Sequence, residues 1–178
     1  RSSDLQVALF FCLKFADVDG LIATDMSCWA KLSGEGILAD NISSELRQEL
    51  GDLITAFCWY ADHGEAGKIP GLFTDDGRIS APGMDVEGKD NLIELFEGRA
   101  QQTDRLSRHL WANMKILKVE SDRIELVVTA TTYIGSGEKP VQPETYVVGD
   151  SYETFEKNEA GGWRFLERRL DLTFKADG

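Results

Sequence analysis

Of the two histidines in the chain, His109 is the one whose surroundings suggest chemistry. It falls in an alternating stretch, Arg105 to Val119, in which a period of two puts Ser107, His109, Trp111, Asn113 and Leu117 on one strand face. Leu106, Arg108, Leu110, Ala112, Met114 and Ile116 take the other. Imidazole titrates near neutral pH without help, so it can serve as a general acid or base. Later strands can offer Tyr133 with Thr131, Tyr146 with Asp150 and Tyr152, and Trp163 with Asp171 to the face of His109. An apolar cup holding a few polar groups and one imidazole is the usual composition of a small-molecule pocket. The plain alternative, a hydrogen-bonded strand histidine without a chemical role, stays open on these residues alone.

Asp62 is the second candidate, near the end of a predicted helix. On an ideal wheel it lies off the stripe of Leu46, Leu50 and Phe57, where a solvent-exposed acid is the ordinary expectation. That helix is signalled by Ser43 as N-cap, Glu45 in the first turn, and Leu46, Leu50, Leu53, Ile54, Phe57 and Ala61 at spacings of three and four. Gly64 is its expected C-terminal stop. A short helical turn over Ala66 to Leu72, with Pro70 inside it, a strand over Phe73 to Ser80 interrupted at Asp75-Asp76-Gly77, and a helix over Lys89 to Gln102 follow.

Four long stretches rich in Val, Ile, Thr and aromatics then alternate: Arg105 to Val119, Arg123 to Ile134, Glu144 to Lys157 and Trp163 to Phe174. Glu120 to Asp122 and Asn158 to Gly162 are hairpin-sized, whereas Gly135 to Pro143 is a longer Gly/Pro loop, so the sheet is expected to be mainly antiparallel. Helices first and strands last make a segregated α+β fold, with three helices packed on one face of a curved sheet. Both faces of the first long strand carry apolar residues. The helices can cover one, and a second copy of the chain the other, which predicts a homodimer through the outer sheet face. Residues 1–42 fit no part of this pattern and read as an accessory extension with a helix over 4–15, leaving 43–178 as the main domain.

Nineteen Lys and Arg against 31 Asp and Glu give a net charge of −12, which repels phosphate backbones and anionic headgroups, so neither nucleic acid nor membrane is an expected partner. Most of that charge lies after residue 42, favouring neutral or cationic ligands. The widely spaced Cys12, Cys28 and Cys58 form no metal or disulfide pattern. No apolar run approaches a membrane span and no signal peptide is evident, so the expected location is cytoplasmic and no metal or cofactor is expected. Arg164, Arg168 and Arg169 read as exposed partners of Glu153, Glu156 and Glu167 across strands.

The run Phe57-Cys58-Trp59-Tyr60-Ala61-Asp62, followed by Phe73-Thr74-Asp75-Asp76-Gly77, resembles the opening of the SnoaL-like branch of the NTF2-like superfamily. The likeness continues through Ala81 to Asp90, Arg108-His109-Leu110-Trp111-Ala112-Asn113 and Gly162-Trp163-Arg164-Phe165. It implies a cone-shaped α+β barrel. It is similar to the scytalone dehydratases of that superfamily at two positions, which implies that Asp62 orients His109 as a general acid/base. The substrate would then sit among Trp59, Tyr60, Trp111, Asn113, Tyr133, Tyr146, Tyr152 and Asp150. Those enzymes carry a second catalytic histidine on the third helix, where this chain has none between Leu92 and Gln102. The implied function is a cofactor-independent lyase, isomerase or cyclase acting on a small, largely apolar molecule. A non-catalytic binding protein for such a molecule, or a structural subunit, is the alternative.

Overall fold

The structure, a computed structural model, describes residues 42–177. The expected N-terminal extension and its helix over 4–15 lie outside the described residues. Helix α1 (Ser44–Asp62) starts where Ser43, in extended conformation, accepts the Leu46 N–H on its hydroxyl at 3.1 Å. It ends before Gly64, whose φ of +77° lets the chain turn away. Leu50, Ile54, Phe57 and Ala61 form its buried stripe. A 3₁₀ helix (Ala66–Leu72) and strand β1 (Phe73–Ala81) follow. Strand β2 (Met84–Glu87), which the sequence pattern leaves unassigned, pairs back on β1. Helix α2 (Lys89–Ala100) precedes β3 (Arg105–Val119), β4 (Arg123–Ser136), β5 (Thr145–Lys157) and β6 (Trp163–Asp177).

The strands form one six-stranded sheet in the order β2-β1-β6-β5-β4-β3. Every pairing is antiparallel except β1 with β6, and the sheet is open, with β2 and β3 as its edges. The helices cover one face. There Ile124, Leu126, Val128, Phe155 and Phe165 are buried against Leu50, Ile54 and Phe57. Three rings converge on Phe165, whose centroid lies 4.7 Å from Phe155, 5.2 Å from Phe73 and 6.3 Å from Phe57. Burial of each such side chain contributes about 1.5–3 kcal/mol.

Strand β3 departs from strict alternation. Asn113 has a φ of +56°, and the β3/β4 register shifts between Ala112 and Lys115. A bulge inserts one extra residue, so the face reverses beyond it. Met114 and Ile116 therefore pack on the core beside Trp111, opposite to the face that a period of two assigns them. Exposed Asn113 belongs to the bulge itself. Among the described residues, no helix is long and apolar enough to cross a membrane.

A second irregularity lies at Gly149, between the β5/β6 register shifts, where a Cβ would meet the Asp171 carbonyl oxygen at 2.2 Å. No side chain fits there without moving the backbone of β6. Gly149→Ala is expected to destabilise the fold by about 1–3 kcal/mol, read as a lower urea midpoint with an unchanged slope.

Candidate active site

Asp62 is the last residue of α1, and β3 is an edge of the sheet. An edge strand carries backbone N–H groups with no strand partner. One of them, the N–H of His109, donates to Asp62 Oδ2 at 2.7 Å. The second carboxylate oxygen, Oδ1, meets His109 Nδ1 at 2.6 Å and accepts the Ser107 hydroxyl at 2.7 Å. Asp62 is therefore buried, its side chain only 4% exposed, and not the solvent-facing acid that a helical wheel suggests. Burial pushes its pKa up, but the bonds from the His109 ring and backbone, the imidazole charge and the Ser107 hydroxyl together hold it below the ordinary value. An ionised carboxylate has no proton to give, so Nδ1 carries the hydrogen and Nε2 is left as the acceptor.

His109 borders a cavity of about 820 Å³ between the sheet and α2. Phe57, Ile79, Met84, Val86, Leu95 and Phe96 supply much of its apolar wall, with Ser151, Thr132, Arg99 and Arg168 among its polar groups. A basic nitrogen at an apolar wall, held by a buried carboxylate, can take up and return a proton.

Of the residues expected to surround a substrate, none other than the Asp62 and His109 pair borders or supports this cavity. Trp59 is 54% exposed and stacks on His63, and Tyr60 lies under Lys68. Trp59 sits on the outward side of α1, whereas Tyr60 is half-buried against the core, away from the cavity. Trp111 shares the face of His109 but packs over Gly51 and donates its Nε1–H to Thr55 Oγ1 at 3.2 Å. Tyr133, Tyr146, Tyr152 and Asp150 all point to the opposite face. The register settles this: Tyr133 lies across from Arg108 and from Tyr146, Tyr152 from Val127, and Asp150 from Thr129, one residue out of phase with His109 and Thr132. On that face Tyr133 and Tyr146 pair at 6.1 Å, and Tyr152 lies under Arg169. Trp163 is buried in the core, and Asp171 pairs with Arg169.

Other residues take their place. Ser107, two before His109, shares its face by simple alternation. Arg168 and Glu153, expected as an exposed pair, form a buried one: Nε to Oε2 at 2.7 Å and Nη2 to Oε1 at 2.8 Å, with the Ser151 hydroxyl donating to the same carboxylate. The β5/β6 bulge puts Arg168 on the inner face, its guanidinium 3.7 Å over the Phe57 ring. Arg168 Nη1 is buried with no hydrogen-bond partner. Half-buried Cys58 is no nucleophile, because burial pushes its pKa up to about 11.

Residues 43–169 match the family model described as the SnoaL-like domain. No curated protein matches the sequence at a significant level. Among solved structures, a protein of Novosphingobium aromaticivorans assigned as a scytalone dehydratase is similar over 74% of this chain and 87% of its own, at 20% identity and a TM-score of 0.64. The type 3 hexachlorocyclohexane dehydrochlorinase of Novosphingobium barchaimii is similar over 75% and 90%, at 14% identity and a TM-score of 0.62. ActVI-ORFA of Streptomyces coelicolor covers 73% and 98%, at 12% identity and a TM-score of 0.63. At these identities the likenesses show the fold, an NTF2-like α+β arrangement.

Two stability predictions follow from the buried charges. Asp62→Asn is expected to cost about 1–3 kcal/mol at neutral pH, since donors aimed at a carboxylate then meet an amide. Because the folded-state carboxyl titrates low, its contribution is complete above the ordinary aspartate range and is lost as pH falls through the depressed value. Urea midpoints measured from pH 7 into acid are expected to converge for the two proteins. Arg168→Met, which leaves Glu153 buried without its partner, is expected to cost about 3–5 kcal/mol, and adding Glu153→Leu to recover most of it in a double-mutant cycle.

Proposed function

Because the chain belongs to the SnoaL-like domain family, with the NTF2-like fold, we propose that it is a cofactor-independent lyase, isomerase or cyclase. Its substrate is a small, largely apolar molecule held in the cavity beside His109. The observation that carries this reading is the 2.6 Å contact between Asp62 Oδ1 and His109 Nδ1 at the cavity wall. Neutral His109 takes a proton on Nε2 from a carbon next to an electron-withdrawing group. The released electron pair forms the new double bond, and in the lyase case it expels a leaving group. The imidazolium, stabilised by Asp62, returns its proton to the leaving oxygen or to another carbon, which regenerates the base. General acid/base catalysis of this kind contributes about 10²–10⁴-fold in rate. Two of the similar structures are described as a dehydratase and a dehydrochlorinase, names that denote eliminations, and this favours the lyase form.

The competing reading, a ligand carrier with the same cavity, is favoured by one observation: α2 (Lys89–Ala100) holds no histidine to act as a second acid. Deuterium exchange separates the two. A panel of small cyclic ketones, hydroxyketones and chlorinated rings is incubated with the protein in D2O and followed by NMR. The expected result is exchange or elimination with at least one member, reduced about 10²–10⁴-fold by His109→Ala. Tight binding without turnover, unaltered in His109→Ala, would establish the carrier instead.

The protein is further proposed to act as a homodimer through the outer sheet face. A cross-strand row of Leu110, Thr131, Val148 and Phe174 runs there beside Tyr133 and Tyr146. Leu110 and Phe174 are 55% and 64% exposed, more than an isolated sheet face leaves to water without cost. Light scattering is expected to give the mass of two chains for the wild type and of one for Tyr146→Glu. A monomeric wild type at micromolar concentration rejects the dimer.

A further inference from the structure

Arg99 is a cation that the proton-transfer scheme does not use. It lies in the last turn of α2, and its Nη2 donates to the Ala61 carbonyl at 3.1 Å and to Ser107 Oγ at 3.3 Å. Ala61 precedes Asp62, and its carbonyl is one of those left unpaired at a helix C-terminus. One guanidinium nitrogen therefore joins the end of α2 to the end of α1 and the start of β3, the two segments that carry Asp62 and His109.

The direction of these hydrogen bonds matters more than their number. A guanidinium has only donors, so Ser107 Oγ must accept from Arg99. The single hydroxyl hydrogen of Ser107 is then free to be aimed at Asp62 Oδ1, 2.7 Å away. Oδ1 also receives His109 Nδ1, and Oδ2 receives the His109 backbone N–H. With the donors of this chain set from one end, the carboxylate is fixed in rotation and its remaining demand is a hydrogen on Nδ1.

We infer that Arg99, acting through Ser107, is a positioning residue that locks Asp62 so that His109 is held as the Nδ1–H tautomer with Nε2 free. The inference rests on the proposed role of His109 only for its purpose. The polarity of the chain is a property of the resting protein and can be read without a substrate. A purely structural Arg99, capping α1 and no more, would alter stability and leave the imidazole untouched.

The test is proton and nitrogen NMR of the full ¹⁵N-labelled chain. With two histidines in the sequence, His63→Gln assigns both rings, and exposed His63, stacked on Trp59, serves as the internal control. The wild type is expected to show a downfield His109 Nδ1–H resonance protected from water exchange. Arg99→Met and Ser107→Ala are expected to lose it to exchange, whereas Arg99→Lys and Ser107→Thr, which keep the donors, retain it. The signals of His63 are expected to stay in place throughout. An unchanged His109 resonance in folded Arg99→Met overturns the inference, as does its absence from the wild type. Should Arg99→Met not fold, Ser107→Ala against Ser107→Thr decides in the same way. Failure of every substrate in the exchange panel, with the resonance behaving as expected, rejects the enzymatic reading and leaves this inference standing.

Discussion

The carboxylate of Asp62 is the point at which helix, sheet and cavity meet. A helix that ends over the edge of a sheet faces two problems: its own last carbonyls lack partners, and so do the N–H groups of the edge strand. Asp62 answers the second by taking the His109 N–H on Oδ2, and Arg99 answers the first by donating to the Ala61 carbonyl. The same bonds that complete the backbone fix the imidazole. Fold and site therefore cannot be separated here. A change that loosens the end of α1 also loosens the ring that borders the cavity.

The second buried charge follows a different logic. Glu153 and Arg168 lie opposite each other on β5 and β6, inside the aromatic cluster of Phe57, Phe155 and Phe165. A buried pair adds little net stability, because desolvation opposes the attraction, but it strongly opposes any arrangement that separates its members. The bulge in the β5/β6 register is what lets an arginine at this position reach inward. The pair thereby fixes the register of the two strands that form the floor of the cavity, and it keeps that floor close to neutral in a chain of net charge −12.

The sheet separates two kinds of aromatic residue by pleat alone. Phenylalanines on the inner face make the core, while Tyr133, Tyr146 and Tyr152 stand on the outer face with Leu110 and Phe174. Tyrosine suits a face that is partly wet and partly covered, since its ring is apolar and its hydroxyl is not. Those tyrosines are therefore features of the outer surface, not of the pocket, although they are the polar aromatics that a pocket would be expected to use.

Much of the fold was legible in the chain. The stripe from Leu46 to Ala61, the Ser43 cap, Gly64 and the alternating strands with short turns specify a long helix and an antiparallel sheet by local rules. His109 was visible as an imidazole on an apolar strand, and Asp62 became a candidate partner by resemblance, against the helical wheel. What a single strand's alternation cannot reveal is its phase relative to its neighbours. Pairing places Tyr133 opposite Arg108 and not opposite His109, and the bulges at Asn113 and opposite Gly149 and Phe155 reverse faces partway along β3 and β6. The burial of Asp62, the inward turn of Arg168 and the reach of Arg99 across three elements depend on contacts distant in sequence. The sequence alone thus determined which elements form and which residues carry usable chemistry. Only the tertiary structure decided which of them meet, because register and packing, not composition, set distances of a few ångströms.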